Sequence, residues 1–195
     1  MRPWLERLQR RVYPAIGGER RRLRGWPAPF ALAGVAVLGY ALLAGAPPQA
    51  EALAAGRSLD CRVLEVHDGD TVTLRCERSV RRVRVWGIDA PELAQVPWGE
   101  LARTALAVML PPQTPVRLEV LDTDSYRRTV GRLWTGTRDL GLELVRAGRA
   151  AVYTRYNRDP VYQAAQAAAR ASRLGVWATP GAQQAPWTWR HLNPR

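Results

Sequence analysis

The stretch Val66–Glu92, VHDGDTVTLRCERSVRRVRVWGIDAPE, decides how the chain is read. Asp68-Gly69 sits between alternating apolar runs, and a two-residue hairpin turn needs the positive φ that Gly supplies without steric cost. Val72, Leu74 and Cys76 alternate with Thr71, Thr73 and Arg75, which predicts a second strand with one buried face. Val83 and Val85 continue the pattern around Arg82 and Arg84 on a third strand, which runs to Gly87-Ile88-Asp89-Ala90. Pro91 closes it, because proline cannot donate to a ladder. Asp70 therefore opens one strand and Asp89 closes another, which can set both carboxylates on one rim of a sheet. A meander with acidic turns would account for either acid alone. It accounts less easily for Asp70, Arg84, Asp89 and Glu92 together. Two carboxylates about 4 Å apart repel by roughly 4 kcal/mol at an effective dielectric of ~20, so the pair needs a proton or a cation. All-oxygen ligation suits a hard ion, Ca²⁺ or Mg²⁺.

Beyond this stretch, Pro97-Trp98-Gly99-Glu100 opens a helix whose Leu101, Ala105, Val108 and Met109 recur at helical spacing, and Pro111-Pro112 stop it. Thr114–Asp122 and Val130–Trp134 read as the fourth and fifth strands. The loop between them carries Asp124, Tyr126, Arg127 and Arg128. Leu140, Leu144 and Ala147 mark a short helix ending at Gly148. Asp159-Pro160 is an N-cap and first-turn pair for an alanine-rich helix through Ser172. His67 reads as a structural strand-end residue.

Four segments, D-G-D-T-V, V-R-V-W-G-I-D-A-P-E, D-S-Y-R-R-T-V-G-R-L and E-L-V-R-A-G-R-A, resemble the staphylococcal nuclease-like (thermonuclease) family in order and spacing. The resemblance covers about Asp60 to Trp177. It implies that Asp70 and Asp89 are Ca²⁺-binding carboxylates, with the backbone carbonyl of Ala90 as a further ligand. Glu92 matches the residue that orients or deprotonates the attacking water, and Arg84 and Arg128 match the two phosphate-gripping arginines. Ala90 stands where the family often has Thr, keeping the carbonyl and losing the hydroxyl. Arg127 stands where the family has Gly, which puts the local turn in question and with it which arginine reaches the phosphate. Phosphodiester hydrolysis builds negative charge on the equatorial oxygens, and guanidinium groups bind such oxygens bidentately and stay charged. Tyr126 and Tyr156 are candidates for stacking on a base or, equally, for core packing with an outward hydroxyl.

The charge of +12 over 195 residues comes entirely from arginine. Residues 1–28 hold eight arginines and two glutamates, half of that excess. The remaining positive charge suits a polyanionic partner without proving one. Phe30–Ala46 is a nearly unbroken apolar run of 17 residues, between the length of a signal-peptide core and that of a membrane span. Basic residues before it predict an N-in, C-out orientation. Residues 29–46 are thus a transmembrane anchor or the core of a cleaved signal, and residues 47–57 are a linker. Residues 58–178 form the nuclease-like domain, followed by a tail over 179–195 with Pro186-Trp187-Thr188-Trp189-Arg190, whose tryptophans are expected to dock on the domain. A two-residue turn at Asp68-Gly69 sets Cys61 opposite Cys76. Outside the cytoplasm they can form a disulfide, and two small buried residues remain the other reading.

The expected fold is α+β, a five-stranded OB-like β-barrel with three helices, preceded by one hydrophobic helix. Barrel closure is implied by the family resemblance. So is the expected activity: Ca²⁺-dependent hydrolysis of DNA and RNA outside the cytoplasm, leaving 3′-phosphate ends. The protein is expected to be a monomer, tethered to the membrane or secreted. The alternative is a membrane-tethered nucleic-acid-binding module that has lost catalysis, and Arg127 is the feature that favours it.

Overall fold

Alternation of buried and exposed side chains shapes the first strands. In β1 (Ser58–Val66) Leu59, Cys61 and Val63 turn inward, and in β2 (Thr71–Cys76) Val72, Leu74 and Cys76 do so. The computed structural model describes residues 55–194. The basic segment, the apolar run and most of the linker expected from the sequence lie outside the described residues. Among the described residues no helix is long and apolar enough to cross a membrane.

β3 (Ser79–Val85) pairs antiparallel with β2, and β5 (Pro115–Thr123) pairs with the far side of β1. β6 (Thr129–Thr135) returns along β5 and then meets β3 in parallel, Val83 facing Thr129 and Val85 facing Gly131. That pairing closes a five-stranded mixed barrel. Val63, Val72, Leu74, Val83, Leu118, Val120 and Leu133 fill its interior with no measurable exposure. Each such side chain contributes about 1.5–3 kcal/mol relative to leaving it in water. Short pairs complete the frame: β4 (Ile88–Asp89) with β8 (Ala151–Val152), and β7 (Arg138–Asp139) on the edge of β6.

Among the described residues four α-helices accompany the barrel, one more than the sequence suggests for the domain. They are α1 (Trp98–Met109), α2 (Leu140–Arg146), α3 (Pro160–Ala171) and α4 (Pro186–Leu192). Asp139 and Asp159 cap α2 and α3 by accepting from Leu142 and Val161 amides among others, and Pro160 occupies the first turn of α3. Gly148 takes φ +63° after α2. α1 meets expectation only in part: Ala105 and Met109 pack against the core as expected, while the rest of its buried face differs. Gly99, Ala102 and Leu106 are buried, whereas Leu101 and Val108 are exposed. Its start packs by small residues, because a Cβ on Gly99 would meet the Glu92 carbonyl oxygen and the Ala102 Cβ lies against Gly69 of the acidic turn.

The β1–β2 connection also differs. The His67 amide donates to the Thr71 carbonyl, so three residues, Asp68-Gly69-Asp70, form the turn, and Gly69 does not have positive φ. A bulge between Val63 and Glu65 absorbs the extra residue and restores Cys61 opposite Cys76. These two are joined by a disulfide, with Cα atoms 4.2 Å apart. The separation is that of a narrow, non-hydrogen-bonded pair rather than the wider pair that counting from a two-residue turn gives. A crosslink spanning 15 residues restricts the unfolded chain by about 3 kcal/mol on the loop-entropy account. Reduction of the folded protein is therefore expected to lower its urea-unfolding free energy by roughly 2–3 kcal/mol. Superimposable curves with and without reductant would show that the crosslink contributes nothing.

Candidate active site

Asp70 ends the Asp68–Asp70 turn and Asp89 ends β4, which brings both to the rim where β2, β3 and β6 meet. Both are buried, Asp89 completely. Arg84, near the end of β3 and opposite Thr71, spans them: Nη1 donates to Asp70 Oδ1 at 3.0 Å and Nη2 to Asp89 Oδ1 at 2.8 Å. The Ala90 amide donates to Asp70 Oδ2 at 3.1 Å, and the Thr71 hydroxyl donates to Asp70 Oδ1 at 3.1 Å.

Close backbone approach builds this cluster. A Cβ on Gly69 would lie 2.6 Å from the Cβ atoms of both Ala90 and Ala102. A Cβ on Gly99 would lie 2.1 Å from the Glu92 carbonyl oxygen. Gly69 is thus required by proximity and not by turn conformation. Glu92 is held further by its amide, which donates to the buried Gln95 side chain at 2.9 Å.

The electrostatics follow from this crowding. Burial raises the pKa of Asp89, and the charge of Asp70 adds to the rise, against the opposing pull of Arg190 and Arg84. Asp68, half-buried on the same turn, is pushed up to about 6 by burial and then by Asp70. The charge of Asp70 raises Arg84 well above its ordinary value despite burial.

Arg128 stands at the start of β6. Its Nε and Nη2 both donate to Asp124 Oδ2 at 2.7 Å, and Nη1 reaches Thr71 Oγ1 at 3.4 Å. The loop keeps its turn because Arg127 adopts φ +62°, the left-handed conformation that glycine takes easily. Arg128, not Arg127, is the arginine directed to the acids through Thr71. Tyr126 is exposed beneath the Arg128 guanidinium, 5.6 Å away. Tyr156 is exposed and edge-on to Tyr153, the ring on which Trp187 stacks. His67 bonds Thr73 Oγ1 at 2.6 Å through Nε2, and its Nδ1 lies 3.6 Å from Glu65 Oε1.

One member of the site escaped the sequence reading. Arg190 on α4 donates from Nη2 to both Asp89 oxygens, at 2.7 and 2.9 Å, and from Nη1 to Glu92 Oε1 at 2.9 Å. The only signal for it was its place directly after the aromatic Trp187-Thr188-Trp189, a docking sequence that can fix the residue behind it.

With this geometry established, residues 82–179 match the model of the staphylococcal nuclease homologue family. The chain belongs to the staphylococcal nuclease family. A Haemophilus influenzae protein named as an uncharacterized endonuclease is 37% identical over 120 residues, 60% of this chain and 66% of that one. A Shigella flexneri protein named micrococcal nuclease is 34% identical over 142 residues, 67% of this chain and 80% of that one. The Escherichia coli protein ParB is 36% identical over 139 residues, 66% of this chain and 77% of that one. Membership makes the protein a hydrolytic nuclease, a phosphodiesterase, in a family that is generally metal-dependent.

The donor set fits a hard cation. Asp70 and Asp89 are buried oxygen donors that repel one another, and each keeps an Oδ2 accepting only one hydrogen bond. Among the described residues no three His, Cys, Asp or Glu side chains are grouped as a metal site, so further ligands would come from backbone or water. The strain at Arg127 supplies a check on the loop. Left-handed φ costs a non-glycine residue about 1–2 kcal/mol, partly offset by the extra unfolded-state freedom of glycine. Arg127→Gly is expected to raise stability by roughly 0.5 kcal/mol in thermal unfolding and to leave cleavage unchanged. A loss of cleavage would give the Arg127 side chain a role of its own.

Proposed function

We propose that the protein is a Ca²⁺-dependent nuclease hydrolysing phosphodiester bonds of DNA and RNA outside the cytoplasm and leaving 3′-phosphate ends. The observation that carries this reading is Arg84 bridging the buried carboxylates Asp70 and Asp89, with Glu92 beside them. Asp70 and Asp89 would hold the cation, with the Ala90 carbonyl as the further ligand the family resemblance implies. Bound there, Ca²⁺ supplies polarisation of the phosphoryl oxygen.

The remaining steps belong to the chain's own residues. Arg84 and Arg128 grip the phosphate and face the charge that grows on its equatorial oxygens. Glu92 accepts the proton of the attacking water as the new P–O bond forms. The P–O5′ bond breaks and the leaving oxygen takes a proton from solvent, so the phosphate stays on the 3′ side. Tyr126, exposed beside Arg128, is placed to stack on a base.

Three features support action outside the cytoplasm: the basic segment, the apolar run Phe30–Ala46 and the Cys61–Cys76 disulfide. The inactive tethered module loses its main argument, since Arg127 accommodates the glycine conformation and Arg128 reaches Thr71.

Single-stranded DNA incubated with the full chain is expected to be cut with Ca²⁺ and to survive with chelator. Asp70→Ala is expected to abolish metal-dependent cleavage while retaining the fold by circular dichroism. Glu92→Gln is expected to lower kcat by about 10²–10³-fold with little change in KM. Cleavage that persists in chelator, or in Asp70→Ala, would remove these roles.

A further inference from the structure

Arg190 approaches the acids from outside the residues matched by the family model. It sits on α4, whose Trp187 stacks on Tyr153 with ring centres 5.9 Å apart and planes 5° from parallel. Trp187 also packs against the small apolar cluster of Ala151, Ala169, Val176 and Trp177. That anchor fixes the guanidinium over Asp89 and Glu92 at once.

The consequence for Asp89 is specific. A carboxylate offers about four accepting positions, two per oxygen. Arg84 uses one and Arg190 uses two. Arg190 also takes Oε1 of Glu92. The two bridging arginines differ in how firmly they are built in. The Arg84 side chain is 17% exposed and rises from a barrel strand, whereas that of Arg190 is 34% exposed on a seven-residue helix outside the barrel. Moving Arg190 breaks no barrel ladder. A guanidinium and a divalent cation sharing one carboxylate repel. Arg190 is the partner that can yield.

We propose that Arg190 is the resident counter-ion of the acid cluster, exchanging with the divalent cation on Asp89 and freeing Glu92 as it leaves. α4 is then an electrostatic latch that sets metal affinity. It holds the carboxylates neutralised and in place before the cation arrives, and releases them when it binds. The proposal rests on the reading of Asp70 and Asp89 as metal ligands.

Calorimetric titration of the full chain with Ca²⁺, without nucleic acid, tests it. Arg190→Ala is expected to bind Ca²⁺ roughly tenfold more tightly than the unaltered protein, and Arg190→Lys, which keeps the charge, to stay close to it. Affinity in Arg190→Ala that is unchanged within about twofold, or weaker, overturns the latch. Should Arg190→Ala fail to fold, Trp187→Ala detaches the helix and decides in the same way: tighter binding supports the latch and unchanged binding overturns it. Absence of Ca²⁺ binding in both the unaltered protein and Arg190→Ala, or binding that Asp70→Ala leaves intact, overturns the metal reading itself and the proposal with it.

Discussion

The site depends on one half-buried arginine. Arg84 places a delocalised charge between two carboxylates that could not otherwise be buried side by side. Its donors satisfy Asp70 and Asp89 from one planar fork, which Lys could not imitate. Because Arg84 lies on β3 opposite Thr71 on β2, that interaction is also a register constraint on the barrel rim. A slip of one residue would turn Arg84 toward the apolar interior and take its guanidinium away from both acids.

Small side chains make the arrangement possible. Gly69, Ala90, Gly99 and Ala102 let the acidic turn, the end of β4 and the start of α1 meet within van der Waals distance. The same contacts explain why α1 buries Gly99, Ala102 and Leu106 and leaves Leu101 and Val108 exposed. The helix supports the site more than it fills the core. Its first turn fixes the backbone of Glu92, and Gln95 completes that fixation.

The five barrel strands were legible in the alternation of Val72/Leu74/Cys76 and Val83/Val85, and the acids in their positions at strand ends. Closure through β3 and β6 was not legible from alternation and came from family resemblance, since a parallel pairing leaves no turn signature. The Cys61–Cys76 pairing was read from a two-residue turn that does not form. A three-residue turn and a bulge near Leu64 offset each other. Val63, beside the bulge, also bonds to Gln113 and Thr114, 50 and 51 residues away in sequence, a pairing that no local pattern announces. Asp124 was visible as a loop acid, but its grip on Arg128 required the folded loop. Arg190 was hidden for a similar reason. Its partners lie 98 and 101 residues away, and only the docked Trp187 brings them together.

The central claim is that Asp70 and Asp89 hold a divalent cation beside Arg84. Anomalous diffraction from crystals grown with Ca²⁺ or Mn²⁺ tests it most directly. The account predicts a single strong peak within about 2.1–2.6 Å of carboxylate oxygens from both Asp70 and Asp89. Carboxylates still closed on Arg84 and Arg190 at saturating cation, with the peak elsewhere or absent, would contradict it.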